Sequence, residues 1–404
     1  LLAIWPLPGT IALRHFLLAA GAISSIHLII THLRSRDIKV ASPLLPLIAF
    51  FAWIFIHFLF FASDRDAQFD ELTSLWLRSF LAAVIGAGFA LASLTYLKSS
   101  PAQNRVNYFL LIGLSGTLVI YLLRYGYEVL LTGKILHMNF FMTPFQGKPQ
   151  IIVFVMLFIA AIYAGIKSRS QGKTENHWLA IFACAISLTL FTFYTANTKN
   201  GILIFSILTS LFAISFFLKQ KTTTIKMVVI ALSLLPILFF GYKHIENEPA
   251  WRNMLADAKV GLDIENQTYW KNWKDGPTPI NELGNHANQS TYLRIAWAAA
   301  AAELIHDRPL GYGLMSYSFT YMAQEKWPDF DTKNGRFNVA THSGWIDLTL
   351  ALGLPATFLL LFSLGKSFFL SLGKKEFLSS YTVWATISLV WMYSTVEVSF
   401  DVFF

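Results

Sequence analysis

Apolar runs long enough to cross a lipid bilayer recur along this chain of 404 residues. The runs 43–62 and 227–241 are apolar on every side of a helix, whereas a surface helix of a soluble protein keeps one polar face. A hydrocarbon core about 30 Å thick is crossed by roughly 20 such residues. Hydrophobic residues make up 55% of the sequence and charged residues only 13%, which excludes a soluble protein. Membrane β-strands would alternate over about 10 residues, a pattern that is absent. The sequence therefore predicts an all-α polytopic membrane protein.

Hydropathy predicts ten transmembrane helices in this sequence. Their predicted spans are residues 11–31, 43–62, 74–97, 106–123, 151–166, 178–196, 201–218, 227–241, 342–364 and 381–400. The sequence opens on Leu1 without a methionine and stops at Phe404 while still apolar. We therefore expect about twelve spans in the full protein.

Basic residues cluster in alternate loops and so predict the orientation, because lysine and arginine favour the cytoplasmic side. The basic loops are residues 34–39, 98–105, 167–173, 219–226 and 366–375. The loops between them face outward, and so does a polar stretch over 242–341. We predict membrane helices with short loops over 1–241, a large and mostly helical outer domain over 242–341, and C-terminal membrane helices over 342–404. The basic cytoplasmic loops, which face anionic lipid, explain the net charge of +8. The sequence shows no nucleic-acid-binding pattern that would explain it instead.

One helix within the polar stretch carries the first candidate side chain. Residues 288–290, Asn-Gln-Ser, precede an alanine-rich run over 291–305 and are typical of a helix N-cap. The run stops at residues 306–309, His-Asp-Arg-Pro. Arg294 lies in its first turns and is either a solvated charge or an anion ligand at the membrane surface. Residues 311–313, Gly-Tyr-Gly, follow as a tight turn, or as a nest whose backbone amides bind an oxygen.

Three motifs together resemble a known family. They are Arg294 with Trp297, the run 309–313 (Pro-Leu-Gly-Tyr-Gly), and His342-Ser343 at the head of a membrane helix that contains Gly353. This pattern resembles the O-antigen ligase and polymerase superfamily of bacterial envelopes. The resemblance implies a GT-C-like fold with about a dozen spans and one large periplasmic loop near the C-terminal end. It also implies a metal-independent, inverting glycosyltransferase of the bacterial inner membrane, without a cofactor and with its active site on the periplasmic side.

The resemblance further implies the substrates. Such enzymes take a glycan carried on undecaprenyl diphosphate and transfer it to an acceptor hydroxyl. In ligases, O-antigen polysaccharide is transferred to a sugar of the lipid A-core during lipopolysaccharide biosynthesis. An O-antigen polymerase or a protein O-oligosaccharyltransferase uses the same donor, so the residues leave the acceptor open. Two chemical demands follow, because the acceptor oxygen needs a base and the departing diphosphate needs cations.

Side chains for both demands are present in the motifs. His342 is the candidate base, because an imidazole titrates near neutral pH and a helix start favours its neutral form. Without the surrounding motif, it reads as an interfacial histidine bonded to a carbonyl. Arg294 is the candidate ligand of the diphosphate, because a guanidinium offers paired donors. The family's second cation is an arginine after Ser or Thr. Lys199 follows Thr198 in that setting, and is either this cation without the paired donors or an ordinary loop lysine.

Further candidates and departures from the family pattern complete the motif. Three more arginines supply charge in the outer domain: Arg252, Arg308 and Arg336. Ser343 stands where the family often has asparagine, and Ala351 stands where it often has an acidic residue before the helix glycine. Asp347 lies on another face of the same helix, so we do not expect it to replace that carboxylate.

A metal-dependent reaction is an open alternative. Asp64 and Asp66, and likewise Asp329 and Asp331, space two carboxylates one residue apart on the outer side. Such pairs hold Mg²⁺ or Mn²⁺ beside a diphosphate, although two aspartates are only a partial ligand set.

A transporter of lipid-linked glycan is the alternative from another functional class. Charged residues in or near the spans, namely Arg78, Glu397 and Asp401, favour it. The sequence shows no repeated halves, however, and a long outer domain has no obvious role in transport.

Overall fold

The structure is a computed structural model that describes residues 1–5, 9–34, 44–96, 100–133, 148–169, 175–217, 223–247, 250–273, 276–330 and 339–395. Its helices are α1 (Ile11–Arg34), α2 (Leu45–Phe60), α3 (Arg65–Glu71), α4 (Leu77–Tyr96), α5 (Ser100–Thr132), α6 (Lys148–Arg169), α7 (Glu175–Thr195), α8 (Lys199–Phe217), α9 (Thr223–Asn247), α10 (Ala250–Leu262), α11 (Gln289–Asp307), α12 (Ser318–Lys326), α13 (Gly344–Ser371) and α14 (Phe377–Thr395). A π-helical turn, Leu72–Trp76, joins α3 to α4, and a 3₁₀ turn spans Thr268–Trp270. Within these ranges the one pairing of extended backbone is an antiparallel bridge between Ile280 and His286.

Helices lie at all ten predicted spans. Among the described residues, five helical segments are long and apolar enough to cross a membrane: Ile11–Thr31, Arg65–Ala92, Asn107–Thr132, Ile151–Ser168 and Gly344–Ser371. Three more apolar segments are shorter: Leu45–Phe60, Ile181–Thr195 and Lys199–Ser215. The all-α class is thus confirmed, with several helices that fit a bilayer. The number of crossings stays a prediction.

The chain folds into two compact units. The first contains Leu1–Ser42, Phe80–His244 and Leu364–Met392, and the second contains Pro43–Ser79, Ile245–Ser363 and Tyr393–Phe404. In the first unit, Tyr163 of α6 stacks on Phe212 of α8 with ring centroids 4.3 Å apart. Trp384 of α14 packs edge-on against both rings. Aromatic packing between distant helices therefore holds this unit together.

The core of the second unit is aromatic and surrounds α11. Trp270, Tyr292, Trp297 and Phe319 are buried in it, together with the alanines of α11. The side chain of Asn288 accepts a hydrogen bond from the backbone N–H of Thr291 and so caps the helix. The predicted capped helix over 291–305 is therefore confirmed, with bounds slightly wider than expected.

Helix α13 is broken in its middle at Gly353, where φ is 76° and ψ is 176°. Pro355 contributes to the break, because its ring clashes with the carbonyl of Ala351 and it has no N–H to donate. The backbone groups that the break leaves without partners in the helix bond instead to residues 309–313, which we call the patch segment. Tyr312 N donates to Leu350 O at 2.8 Å, Gly313 N donates to Ala351 O at 2.7 Å, and Leu354 N donates to Pro309 O at 2.9 Å. A break in a membrane helix persists only where neighbouring groups satisfy the backbone in this way.

Residues of α2 and of the loop that follows it also form hydrogen bonds with the patch segment. His57 Nε2, on a fully buried ring, donates to Leu310 O at 2.9 Å, and Ser63 N donates to Tyr312 O at 3.0 Å. Trp53 Nε1 donates to Leu352 O at 2.7 Å and thereby satisfies a further carbonyl at the break. The loop that follows is anchored too, because both carboxylate oxygens of Glu71 accept backbone N–H groups at 2.7 Å.

Of the two alternatives for the Gly-Tyr-Gly segment, a tight turn or an anion-binding nest, the nest is wrong. Its three amides donate to protein carbonyls, namely those of Arg308, Leu350 and Ala351. The glycines are required by close approach instead. A Cβ on Gly311 would lie 2.5 Å from the backbone N of Gly353, and a Cβ on Gly353 would lie 2.5 Å from the carbonyl carbon of Leu310.

Gly353→Ala tests this arrangement against Gly365→Ala, a substitution in the same helix at a position with no neighbour within 4 Å. The backbone of Gly353 lies in a region that side chains rarely enter, at a cost on the order of 1–3 kcal/mol. We therefore expect Gly353→Ala to lower the melting temperature of the purified protein, and Gly365→Ala to leave it close to wild type. Equal melting temperatures for the two variants would contradict the close packing at the break.

Candidate functional site

His342 lies in a short loop that leads into α13. Its φ of 59° places the backbone in the left-handed region, which a side chain other than glycine seldom adopts. Helix α13 begins at Gly344, so the prediction that His342 heads the helix was wrong by two residues. Such a conformation persists only where the surroundings hold it.

Asp347 is the residue that holds this loop. Its Oδ1 accepts hydrogen bonds from Thr341 N at 2.9 Å and from Thr341 Oγ1 at 2.7 Å. On the other side of the histidine, Ser343 O accepts from Asp347 N at 2.9 Å, and Ser343 Oγ donates to Tyr393 O at 3.4 Å. Both neighbours of His342 are therefore fixed. Asp347 was expected on another face of the helix, and this role was not predicted.

The ring of His342 stacks on the indole of Trp297, with centroids 5.5 Å apart and an angle of 29° between the planes. Trp297 is itself fixed, because it is buried and its Nε1 donates to Trp270 O at 3.2 Å. The stacking on this fixed indole thus orients the imidazole.

Arg294 lies three residues before Trp297 on α11, about one turn away. Arg294 is exposed, and its Nη1 donates to Thr395 O at 3.4 Å. The same end of α14 accepts the hydrogen bond of Ser343 at Tyr393. The stacking partner of His342 and Arg294 are therefore neighbours on α11, and the end of α14 contacts both Arg294 and the loop of His342.

Three of the other candidate cations are among the described residues, namely Arg252, Arg308 and Lys199. Arg308 forms an ion pair with Glu325 at 2.7 Å, and its guanidinium lies over the ring of Tyr312. Arg252 is exposed on α10. Lys199, in the first unit, is the half-buried first residue of α8, and its neighbour Asn200 accepts a hydrogen bond from Trp391. Arg336 lies outside the described residues.

The aspartate pairs considered for a metal are partly engaged in other contacts. Asp64 caps α3, because its side chain accepts from Ala67 N. Lys271 donates to both carboxylate oxygens of Asp329, at 3.0 and 2.8 Å, and this hydrogen bonding lowers the pKa of Asp329. Asp331 lies outside the described residues. In the part of the chain that the structure describes, no group of three or more His, Cys, Asp or Glu is placed to hold a metal ion.

Of the charges that favoured transport, Arg78 donates to Ser74 O of its own helix at 2.8 Å. Glu397 and Asp401 lie outside the described residues.

Comparison with known proteins gives one family match. A family model described as O-antigen ligase matches residues 182–361, a segment that contains Lys199, Arg294 and His342. The resemblance noted in the sequence is therefore confirmed. No curated protein and no solved structure matches the chain.

The anchoring role of Asp347 is tested by comparing Asp347→Ala with Asp347→Asn. Alanine removes the acceptor and leaves the buried N–H of Thr341 unsatisfied, at about 1–3 kcal/mol, whereas asparagine keeps an acceptor oxygen. The Thr341 hydroxyl has a second acceptor in Ser343 O at 3.2 Å. We expect hydrogen exchange of the backbone over residues 339–346 to accelerate in Asp347→Ala and to stay near wild type in Asp347→Asn. Exchange that is equally slow in all three proteins would contradict this role.

Proposed function

We propose that this chain, of which residues 182–361 match a family model described as O-antigen ligase, is an inner-membrane glycosyltransferase that transfers O-antigen polysaccharide from undecaprenyl diphosphate to a hydroxyl of the lipid A-core. The proposal includes a metal-independent, inverting reaction on the periplasmic side. One observation supports it most strongly. His342 stacks on Trp297, which lies about one turn of α11 from Arg294, so the imidazole and the guanidinium belong to the same part of the second unit.

The proposed reaction is a single displacement at the anomeric carbon. His342 accepts the proton of the acceptor hydroxyl while the oxygen forms its bond to the anomeric carbon. The bond from that carbon to the diphosphate oxygen breaks at the same time, and its electron pair leaves with the diphosphate. Arg294 stabilises the negative charge that grows there, through paired donors that stay charged beside lipid. Attack from the face opposite the leaving group inverts the configuration.

In this proposal, the remaining cations have different roles. Lys199 is retained as a second ligand of the diphosphate, on the strength of the family resemblance and its place inside the matched segment. Arg308 is assigned to structure, because it is paired with Glu325 and packed on Tyr312. Arg252 is assigned to neither, because it is exposed on a helix without a described contact to His342 or Arg294.

The choice of acceptor decides between the ligase and its relatives, which share the donor. The purified protein is supplied with a lipid-linked glycan in excess EDTA and is offered three acceptors separately: lipid A-core, a second lipid-linked glycan, and a pilin-like protein. We expect transfer to lipid A-core. Transfer to the second glycan alone would indicate a polymerase, and transfer to the protein alone would indicate a protein O-oligosaccharyltransferase.

Activity that is lost in EDTA and restored by Mg²⁺ would contradict the metal-independent reaction. Movement of the lipid across vesicles without any transfer would indicate a transporter.

His342→Asn tests the base, with His306→Asn at the exposed end of α11 as its matched control. Removal of a positioned base costs about 10² to 10⁴ in rate where chemistry limits turnover. We therefore expect kcat to fall by that factor in His342→Asn. His306→Asn should transfer glycan at the wild-type rate. An undiminished rate in His342→Asn would remove the histidine from the mechanism.

A further inference from the structure

Helix α10 is amphipathic, but most of its large apolar residues are exposed, whereas a helix that packs on a soluble core buries them. It buries small or polar residues against α11, among them Ala256, Asp257 and Gly261. The approach at Gly261 is so close that a Cβ there would lie 2.9 Å from Tyr292 O. Val260 packs against the core of the second unit, whereas other large apolar side chains are exposed, Leu255 by 71% and Leu262 by 64%. An ordinary surface helix of a soluble protein has the opposite distribution.

The exposed apolar residues of α10 form one continuous stripe. Trp251, Met254, Leu255, Ala258 and Leu262 are spaced three, four and seven residues apart, which places them on one side of a helix. Met254 is also exposed, and Trp251 and Ala258 are partly exposed. Two basic residues border the stripe, namely Arg252 and Lys259. Apolar residues on one side with basic residues at the border are typical of helices that lie in a membrane surface.

A short hairpin next to α10 carries two more exposed apolar residues. Asn281 is buried, its Nδ2 donates to Asp257 Oδ1 at 2.8 Å, and its Oδ1 accepts the backbone N–H groups of Leu283 and Asn285. These bonds fix the hairpin to α10. On either side of Asn281 and Glu282, Ile280 and Leu283 are both exposed. We call the α10 stripe together with these two residues the apolar face.

We propose that the apolar face rests in the headgroup and upper acyl region of the lipid bilayer, with Arg252 at anionic headgroups. Lys259 is ion-paired with Glu282 of the hairpin, at 2.7 Å. Chain continuity favours lipid as the occupant. Helix α9 covers the predicted span 227–241 and ends at Asn247, three residues before α10 begins. Exposed apolar residues of α9, namely Leu238, Phe239 and Tyr242, lead up to that point. The apolar face also contains five large apolar side chains that are exposed, namely Met254, Leu255, Leu262, Ile280 and Leu283. Soluble surfaces normally expose such side chains singly.

This seating has a consequence for the candidate site. Helix α10 packs on α11, which carries Arg294 and Trp297, so a face of α10 held in the bilayer surface sets the depth of that part of α11. The inference rests on the membrane location and not on the transferase reaction. It stands or falls separately from the proposed function.

Spin labels test the proposal on the full chain. Cys184 is the single cysteine and is replaced in Cys184→Ser, after which one nitroxide at a time is attached to a cysteine introduced at position 255, 262 or 283. The matched control is position 272, where Asn272 is an exposed polar residue of the same unit. Each protein is reconstituted in bilayers of phosphatidylethanolamine and phosphatidylglycerol, and its melting temperature is compared with that of the unlabelled protein to confirm folding.

The accessibility of each label to oxygen and to a water-soluble nickel complex gives the result. We expect collisions with oxygen to exceed those with nickel at positions 255, 262 and 283, and the ratio to be reversed at position 272. Ratios at the three positions that equal the ratio at 272 would place the apolar face in water and overturn the proposal. Labels shielded from both reagents would also overturn it, since they would indicate a protein partner, and spin–spin broadening would identify that partner as a second copy of the chain.

Discussion

The hydrogen bonds that close the break in α13 are the constraint on which the second unit depends. Gly353 interrupts the helix, and the patch segment supplies the donors and the acceptor that the interrupted backbone lacks. Buried backbone groups without partners are costly, so the two segments cannot separate without exposing several of them at once. The end of α11 is thereby tied to the interior of α13, while the stacking of His342 on Trp297 joins the two elements near the start of α13.

Two such connections give the candidate site its fixed geometry. Arg294 and Trp297 lie about one turn apart on α11, and the loop of His342 is held by Asp347 and by the end of α14. A left-handed histidine costs on the order of 1–3 kcal/mol, which its surroundings offset. Groups that are held in place before substrate arrives need no reorganisation during reaction, and this preorganisation is the main source of electrostatic catalysis. The arrangement accordingly suits a base and a cation that act together.

Local patterns in the sequence predicted the helices well, because hydropathy and capping depend on neighbouring residues. The capped helix that carries Arg294 is an example. The partner of the patch segment could not be predicted, because about forty residues separate it from the break that it closes. A tight turn and a nest were therefore both left open for the Gly-Tyr-Gly segment. Asp347 was missed for a related reason, since its role depends on a loop conformation and not on its helical face. The reversed burial of α10 likewise becomes visible only once α11 is in place.

The central claim is that Arg294 contacts the diphosphate of the donor beside His342. Solid-state NMR tests it most directly, by measuring dipolar coupling between the phosphorus nuclei of a bound lipid-linked glycan and isotope-labelled arginine guanidinium groups in bilayers. The account predicts a coupling in the wild-type protein that is lost in Arg294→Lys and retained in Arg308→Lys. A coupling that persists in Arg294→Lys and disappears in Arg308→Lys would contradict it.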